Sequence, residues 1–162
     1  MIGPEYIRHM ALYNRWQNER LYSLCSALAD AEQRRDRGMF FGSILRTLDH
    51  IAMIDRAILH MVRTGERPVL DFETVQFDDF DALWSERQRL DAELSTFADE
   101  HDAAWFLDRA HPAFRPSRGF MVVQLFNHQT HHRSQVTCEL HKLGIDYGNT
   151  DMPYNPYLDT SS

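Results

Sequence analysis

The chain has 162 residues, a formal net charge of −7 and 43% hydrophobic residues, a composition typical of a globular protein and not of a disordered one. This length suits one domain, and the acidic balance argues against nucleic acid and anionic membranes as main partners. No stretch is apolar for long enough to predict a membrane-spanning helix, and the first residues lack the order of a signal peptide, so we expect a cytoplasmic protein.

Four long segments carry apolar residues three and four positions apart, a spacing that predicts helices. Pro4 suits the first turn of the first helix, and glycines at 65 and 144 suit the ends of the second and the fourth. An aspartate at 78 or 79 is a suitable cap for the third helix. The four predicted helices span about residues 4–28, 40–63, 78–98 and 117–143.

The connections after the second and third predicted helices are long. Residues 65–76 include a partly alternating stretch that would allow a short strand, and residues 101–119 are too rich in proline and glycine for a long helix. The tail, 145–162, carries turn residues throughout and is expected to be irregular. The pattern predicts an all-α, antiparallel four-helix bundle that forms a single domain over 1–162. Up-down-up-down order is the default expectation, although a crossover through the longer connections is compatible with the sequence.

The strongest chemical signal among the nine histidines lies on the fourth predicted helix. His128 and His132 are four residues apart and follow its apolar row, whereas His131 falls on a mostly polar face. Two unpaired imidazoles in an apolar core would cost one to several kcal/mol each. The pair therefore predicts either a metal site or two core histidines that side chains or water satisfy.

A third ligand would have to come from another helix. In the second predicted helix, His50 lies beside the main apolar row, while His60 shares a face with charged residues and is expected to be solvated. His50 is therefore the better candidate. The remaining candidates lie near helix ends or in loops and are expected at the surface: His9, His101 and His111.

Other catalytic centres have less support in the sequence. A carboxylate-bridged di-iron centre needs inward glutamates and a Glu-x-x-His pair, which the chain lacks. Motifs for nucleotide binding and for a nucleophilic serine are also missing. Cys25 and Cys138 lie in apolar-periodic stretches and are predicted to be reduced, buried thiols. Cys138 is a conceivable soft ligand or nucleophile, but it projects from the polar row beside His131.

Segments along nearly the whole chain resemble the DinB/YfiT-like superfamily, and its DinB branch in particular. FNHQTHHRSQV is similar to its fourth-helix signature, LYNRWQNERL to its first-helix motif, and RTLDHIAMIDRAIL to the second-helix segment with the remaining histidine. YGNTDMP is similar to the tail of the branch. The departures are Ser134, where glycine is common, and Ile58 with Leu59, where an aromatic residue is frequent; none of them is a ligand position.

This resemblance implies a four-helix bundle with a divalent ion, usually zinc or nickel, that His50, His128 and His132 bind. The characterised branches use low-molecular-weight thiols such as mycothiol or bacillithiol, in transferases and isomerases. The resemblance therefore implies a metal-dependent thiol S-transferase, or a related hydrolase or isomerase, with a small-molecule substrate and a thiol cosubstrate. It also implies a homodimer.

Four further residues are candidates for substrate binding or for support of the ligands. Asn14 interrupts an apolar row and could orient substrate or water. Arg87 could pair with a substrate carboxylate, although an ion pair with an acidic residue of a neighbouring helix is favoured. Arg133 and Gln135 could support the ligands or form a dimer contact. The alternative to an enzyme is a non-catalytic, stress-associated dimeric bundle with a structural metal.

Overall fold

The computed structural model describes residues 3–109 and 115–158, and its regular structure is helical throughout these parts. The helices are α1 (Pro4–Ser26), α2 (Asp30–Arg34), α3 (Ile44–Thr64), α4 (Phe80–Phe97), α5 (Ala103–Leu107) and α6 (Arg118–Lys142). The predicted all-α bundle of four long helices is confirmed, and α2 and α5 are short additions to it. In the described parts of the chain, no helix combines the length and the apolar character that crossing a bilayer requires.

The starts of three long helices are fixed by side-chain caps. Side-chain oxygens of Ser43, Asp79 and Ser117 accept hydrogen bonds from backbone N–H groups in the first turns of α3, α4 and α6. The predicted start of the second helix at residue 40 is therefore too early. Gly42 takes a φ of +81°, which favours glycine and cannot continue into a helix.

The order of the long helices differs from the default up-down-up-down arrangement. Ion pairs join Arg56 to Glu86 and Arg63 to Glu93, so α3 and α4 run in the same direction. The connection 65–79 must therefore return along the bundle before α4 begins. The crossover that the sequence allowed is therefore present, in the connection between α3 and α4.

The far end of this connection is fastened to the start of α3. The carboxylate of Asp49 accepts hydrogen bonds from the backbone N–H groups of Gln76, at 3.0 Å, and Phe77, at 2.9 Å. The short strand that the sequence would allow in this region does not form, because the described connection bends at several residues and turns at Asp71, whose carboxylate accepts from the N–H groups of Glu73 and Thr74.

The remaining helix directions follow from contacts near the helix ends. Arg8, near the start of α1, pairs with Asp99, just beyond the end of α4. Arg118, at the start of α6, donates to the carbonyl of Val62 near the end of α3, at 3.1 Å. The pairs α1–α4 and α3–α6 are therefore antiparallel, and they are also the most extensive contacts in the bundle.

The C-terminal segment is irregular apart from a 3₁₀ turn at Met152–Tyr154, and it lies on α1. Tyr13 donates its hydroxyl hydrogen to the carbonyl of Thr150 at 2.8 Å, and Gln17 donates to the carbonyl of Asn149 at 3.3 Å. These bonds attach the segment to the middle of α1.

A buried polar network crosses the centre of the bundle. Arg87 pairs with Asp55 on α3 and with Asp91 one turn along its own helix. Gln129 of α6 donates to Asp55 at 2.6 Å, and Asn18 of α1 donates to Asp91 at 2.9 Å. All seven members are less than one-tenth exposed: Asn14, Asn18, Asp55, Arg87, Asp91, Gln129 and Arg133.

The network balances its charges inside an apolar core. Burial alone would lower the pKa of Arg87, but the carboxylates of Asp91 and Asp55 raise it above its ordinary value. Arg133 adds a second positive charge and bonds to Gln129 at 3.0 Å. Two arginines thus face two aspartates, and losing one member would leave a buried charge without its partner.

Replacing Arg87 with leucine is expected to destabilise the fold by roughly 3–5 kcal/mol, because two buried carboxylates lose their cation. Urea unfolding followed by circular dichroism measures this loss. The matched control is Arg89→Leu on the same helix, where the side chain is 54% exposed, and a loss of about 1 kcal/mol or less is expected. Equal losses in the two variants would contradict the role of the network.

Candidate metal centre

Three of the predicted histidines meet where α3 packs against α6. His50 lies in the second turn of α3, and the spacing of His128 and His132 puts them on one side of α6. One nitrogen from each ring can be chosen so that all three lie within 4.8 Å of one another. The face of each helix, read from the sequence, led to the same three residues.

The geometry of these nitrogens fits a shared ion. The Nε2 atoms of His50 and His128 are 3.1 Å apart. Two nitrogen ligands at 2.0–2.1 Å from one tetrahedral zinc ion would be about 3.3 Å apart. No carboxylate belongs to the cluster among the described residues, and an all-imidazole donor set suits zinc or nickel rather than magnesium or calcium.

Burial keeps these imidazoles neutral. It lowers the pKa of His50 to about 4 and that of His128 to about 3, and the neighbouring His132 adds to both shifts. Burial also lowers the pKa of His132, although its hydrogen bond to Gln135 opposes the shift. The three rings therefore have lone pairs available at neutral pH without first losing a proton.

Two neighbouring side chains orient the rings. The Nδ1 of His132 lies 2.8 Å from the Oε1 of Gln135, so Nδ1–H donates and Nε2 is left free for an ion. Phe41 stacks on His50 with 3.9 Å between ring centroids. The Nδ1 atoms of His50 and His128 have no hydrogen-bond partner among the described residues, so packing alone orients these two rings.

The cluster forms part of the wall of an open cavity of about 1020 Å³. Phe40 is 82% exposed and Phe72 is 53% exposed, so this cavity has an apolar, aromatic rim. Arg46 supplies a positive charge beside His50. Since two of the three site histidines line the cavity, a small molecule that enters it reaches the histidine cluster.

The sequence did not identify the role of Phe41 or Phe72. Phe41 falls within the second predicted helix, 40–63, but it lies in the turn before α3 and packs on His50. Phe72 belongs to the connection that returns along the bundle, and its ring centroid is 6.0 Å from that of His50. The path of this connection brings Phe72 to the site, and that path cannot be predicted from the periodicity of the sequence.

The four supporting candidates are divided between two places. Gln135 contacts a site histidine and lines the cavity. Asn14 and Arg133 bond to each other in the buried network, and neither lines the cavity. Arg87 is also in this network, and the ion pair to a neighbouring helix that the sequence favoured is present, with Asp55 as its partner.

The remaining cysteine and histidine candidates lie away from the cluster. Cys25 is buried, but Cys138 is exposed, so the prediction that both thiols are buried is wrong for Cys138. It occupies the polar row with the exposed His131, which the periodicity indicated, and the nearby apolar residues of α6 point elsewhere.

The other candidate histidines are not grouped with the site. His9 and His60 are exposed, as expected. His101 is half-buried, because its ring stacks on Trp105 with 3.7 Å between centroids. His111 lies outside the described residues.

Comparison with known proteins agrees with the fold. The model of the DinB family matches residues 1–161, almost the whole chain. No curated protein matches the chain. A match of this extent, together with the four-helix bundle and the three converging histidines, shows that the chain belongs to the DinB family.

Proposed function

We propose that this protein is a metal-dependent enzyme of the thiol S-transferase type, or a related hydrolase or isomerase, with a divalent ion at His50, His128 and His132. The observation that carries the proposal is the convergence of three neutral imidazoles, two of which line an open cavity. Structural zinc sites usually have four protein ligands, whereas three ligands beside a cavity are typical of catalytic sites.

Zinc and nickel are the ions that we favour, and a bound divalent ion supplies Lewis acidity that lowers the pKa of a coordinated thiol or water. The residues of the chain would bind and orient the ion. The three imidazoles hold the ion, and Gln135 keeps the Nε2 of His132 directed towards it. Phe41 covers one face of His50 and shields it from solvent.

The sulfur of a thiol reaction would have to come from outside the chain. Burial raises the pKa of Cys25 to about 12, so this thiol is neither charged nor accessible. Cys138 is exposed, but it lines a different cavity from the histidines. A low-molecular-weight thiol as cosubstrate is consistent with both observations.

The cavity favours a substrate that combines apolar and anionic parts. The exposed rings of Phe40 and Phe72 offer contact surface to an apolar group. Arg46 can pair with a carboxylate, since its recorded bond, to the carbonyl of Glu73 at 3.4 Å, is long and leaves the other guanidinium donors available.

Substituting any one ligand is expected to remove stoichiometric metal. His50→Ala, His128→Ala and His132→Ala should each purify with far less than one ion per chain, measured by elemental analysis after purification without chelators. His131→Ala is the matched control, because this exposed neighbour lies outside the three-residue cluster. Full occupancy in the three ligand variants would contradict the proposed site.

Removing the metal with a chelator is expected to leave the bundle folded. The core and the buried polar network hold the four long helices together without contributing a ligand. Circular dichroism should therefore keep its helical signal, with a lower midpoint temperature because ligand-free protein loses the binding free energy. Complete unfolding on chelation would favour the alternative, a non-catalytic, stress-associated bundle with a structural metal.

Thiol binding tests the type of reaction. Cobalt-substituted protein titrated with a low-molecular-weight thiol is expected to develop a sulfur-to-cobalt charge-transfer band, since the ion has positions that the chain does not fill. The corresponding alcohol is the control and should produce no such band. A normal cobalt content with no thiol-dependent band would contradict the thiol assignment and leave the metal site intact.

A further inference from the structure

A second cavity, of about 300 Å³, lies between α1, α6 and the C-terminal segment 147–150. Two arginines line it, Arg20 from α1 and Arg133 from α6. None of the described residues that line this cavity is acidic, although the protein as a whole has a charge of −7. Its remaining polar lining consists mainly of hydroxyl groups: Tyr13, Thr130, Ser134, Thr137, Tyr147 and Thr150.

Arg133 is only 6% exposed, yet all its recorded hydrogen-bond partners are neutral. This is unusual in the described part of the chain, since the buried side chain of Arg87 pairs with two aspartates. The aspartates balance the charge of Arg133 only indirectly, through Asn18 and Gln129. Its guanidinium is charged at neutral pH, as in arginines generally.

One side of the Arg133 guanidinium is available to the cavity. Its Nη1 bonds to the amide oxygens of the core, while Nη2 makes a single long bond of 3.3 Å to the hydroxyl of Thr130. Thr130 also lines the cavity. Further donor capacity of Arg133 is therefore located at the cavity wall.

The guanidinium of Arg20, which lines the same cavity, lies beside the backbone of the C-terminal segment. It lies so near to Gly148 that a Cβ there would be 1.6 Å from Nη2. Gly148 takes a φ of +72°, a backbone conformation that favours glycine. Arg20 has no hydrogen bond or ion pair with any residue in the described ranges 3–109 and 115–158, and the nearby Asp146 accepts from the N–H of Gly148.

We infer that this cavity is a binding site for a small oxyanion, a phosphate or carboxylate group, between Arg20 and Arg133. Two arginines, hydroxyl donors and a lining without carboxylates form the donor set that such anions select. The site is separate from the histidine cluster, because Arg133 and His132 are adjacent in sequence but line different cavities.

Cys138 provides a local reporter of occupancy. It is exposed and lines this cavity, whereas Cys25, the other cysteine, is fully buried. The experiment measures the rate at which iodoacetamide, a neutral reagent, alkylates Cys138 in metal-loaded protein. Inorganic phosphate is added at constant ionic strength with chloride as the balancing anion, and acetate replaces phosphate in a parallel series.

Phosphate, acetate or both are expected to slow alkylation in a saturable way. The anion that gives half-maximal protection at the lower concentration identifies the preferred group. Arg20→Gln should weaken the apparent affinity by about tenfold or more, since charge-assisted hydrogen bonds are lost. Arg20→Lys should retain part of the effect. Arg15→Gln on the same helix is the control, because Arg15 pairs with Glu19 and does not line the cavity.

An alkylation rate that neither anion changes would overturn the inference, as would equal protection in the wild type and Arg20→Gln. The inference would also be overturned if alkylation slowed with rising protein concentration and did not respond to the anion. That result would indicate that a second copy of the chain covers the cavity. Wild-type protein stripped of metal with a chelator should show the same protection, and a loss of protection on stripping would contradict the separation of this site from the histidine cluster.

Discussion

The ion-paired network around Arg87 determines how the four long helices fit together. Asp55 and Gln129 bond across α3 and α6 at 2.6 Å, and the next polar contact between these helices is the 3.1 Å approach of His50 to His128. Gln129 directly follows His128 in the chain. The network thus sets the axial position and rotation of α6 against α3, and the histidine cluster depends on both. A shift of one residue would break the buried bonds and separate the imidazoles.

This dependence accounts for the close association of a costly network with the candidate site. Buried charges contribute little net stability compared with well-packed apolar residues, but they strongly penalise any arrangement that leaves one of them unpaired. An apolar core tolerates sliding more readily, because hydrophobic contacts are not directional. In this bundle the directional bonds of the polar network lie at the centre of the core, and the histidine cluster lies about one helical turn away from them.

The sequence predicted features that depend on the geometry of a single helix. The rows of α6 separated His128 and His132 from His131 correctly, because side-chain positions on a single helix follow from its period alone. The sequence also favoured an ion pair between Arg87 and an acidic residue of a neighbouring helix. It could not identify Asp55 as the partner, since that pairing depends on the relative position of two helices. The stacking of Phe41 on His50 likewise depends on a neighbouring segment, which no local pattern describes.

The crossover between α3 and α4 has a consequence for folding. Since α1 packs chiefly on α4, and α3 chiefly on α6, most helix contacts join segments that are far apart in sequence. An up-down-up-down bundle can form a stable pair from its first two helices, whereas in this chain the main partners of α1 and α3 are made later during synthesis. Proteins dominated by such distant contacts fold more slowly than simple bundles of the same size. The apolar face of α1 therefore waits for α4, and the α3 face that carries His50 has no partner until α6 has been synthesised.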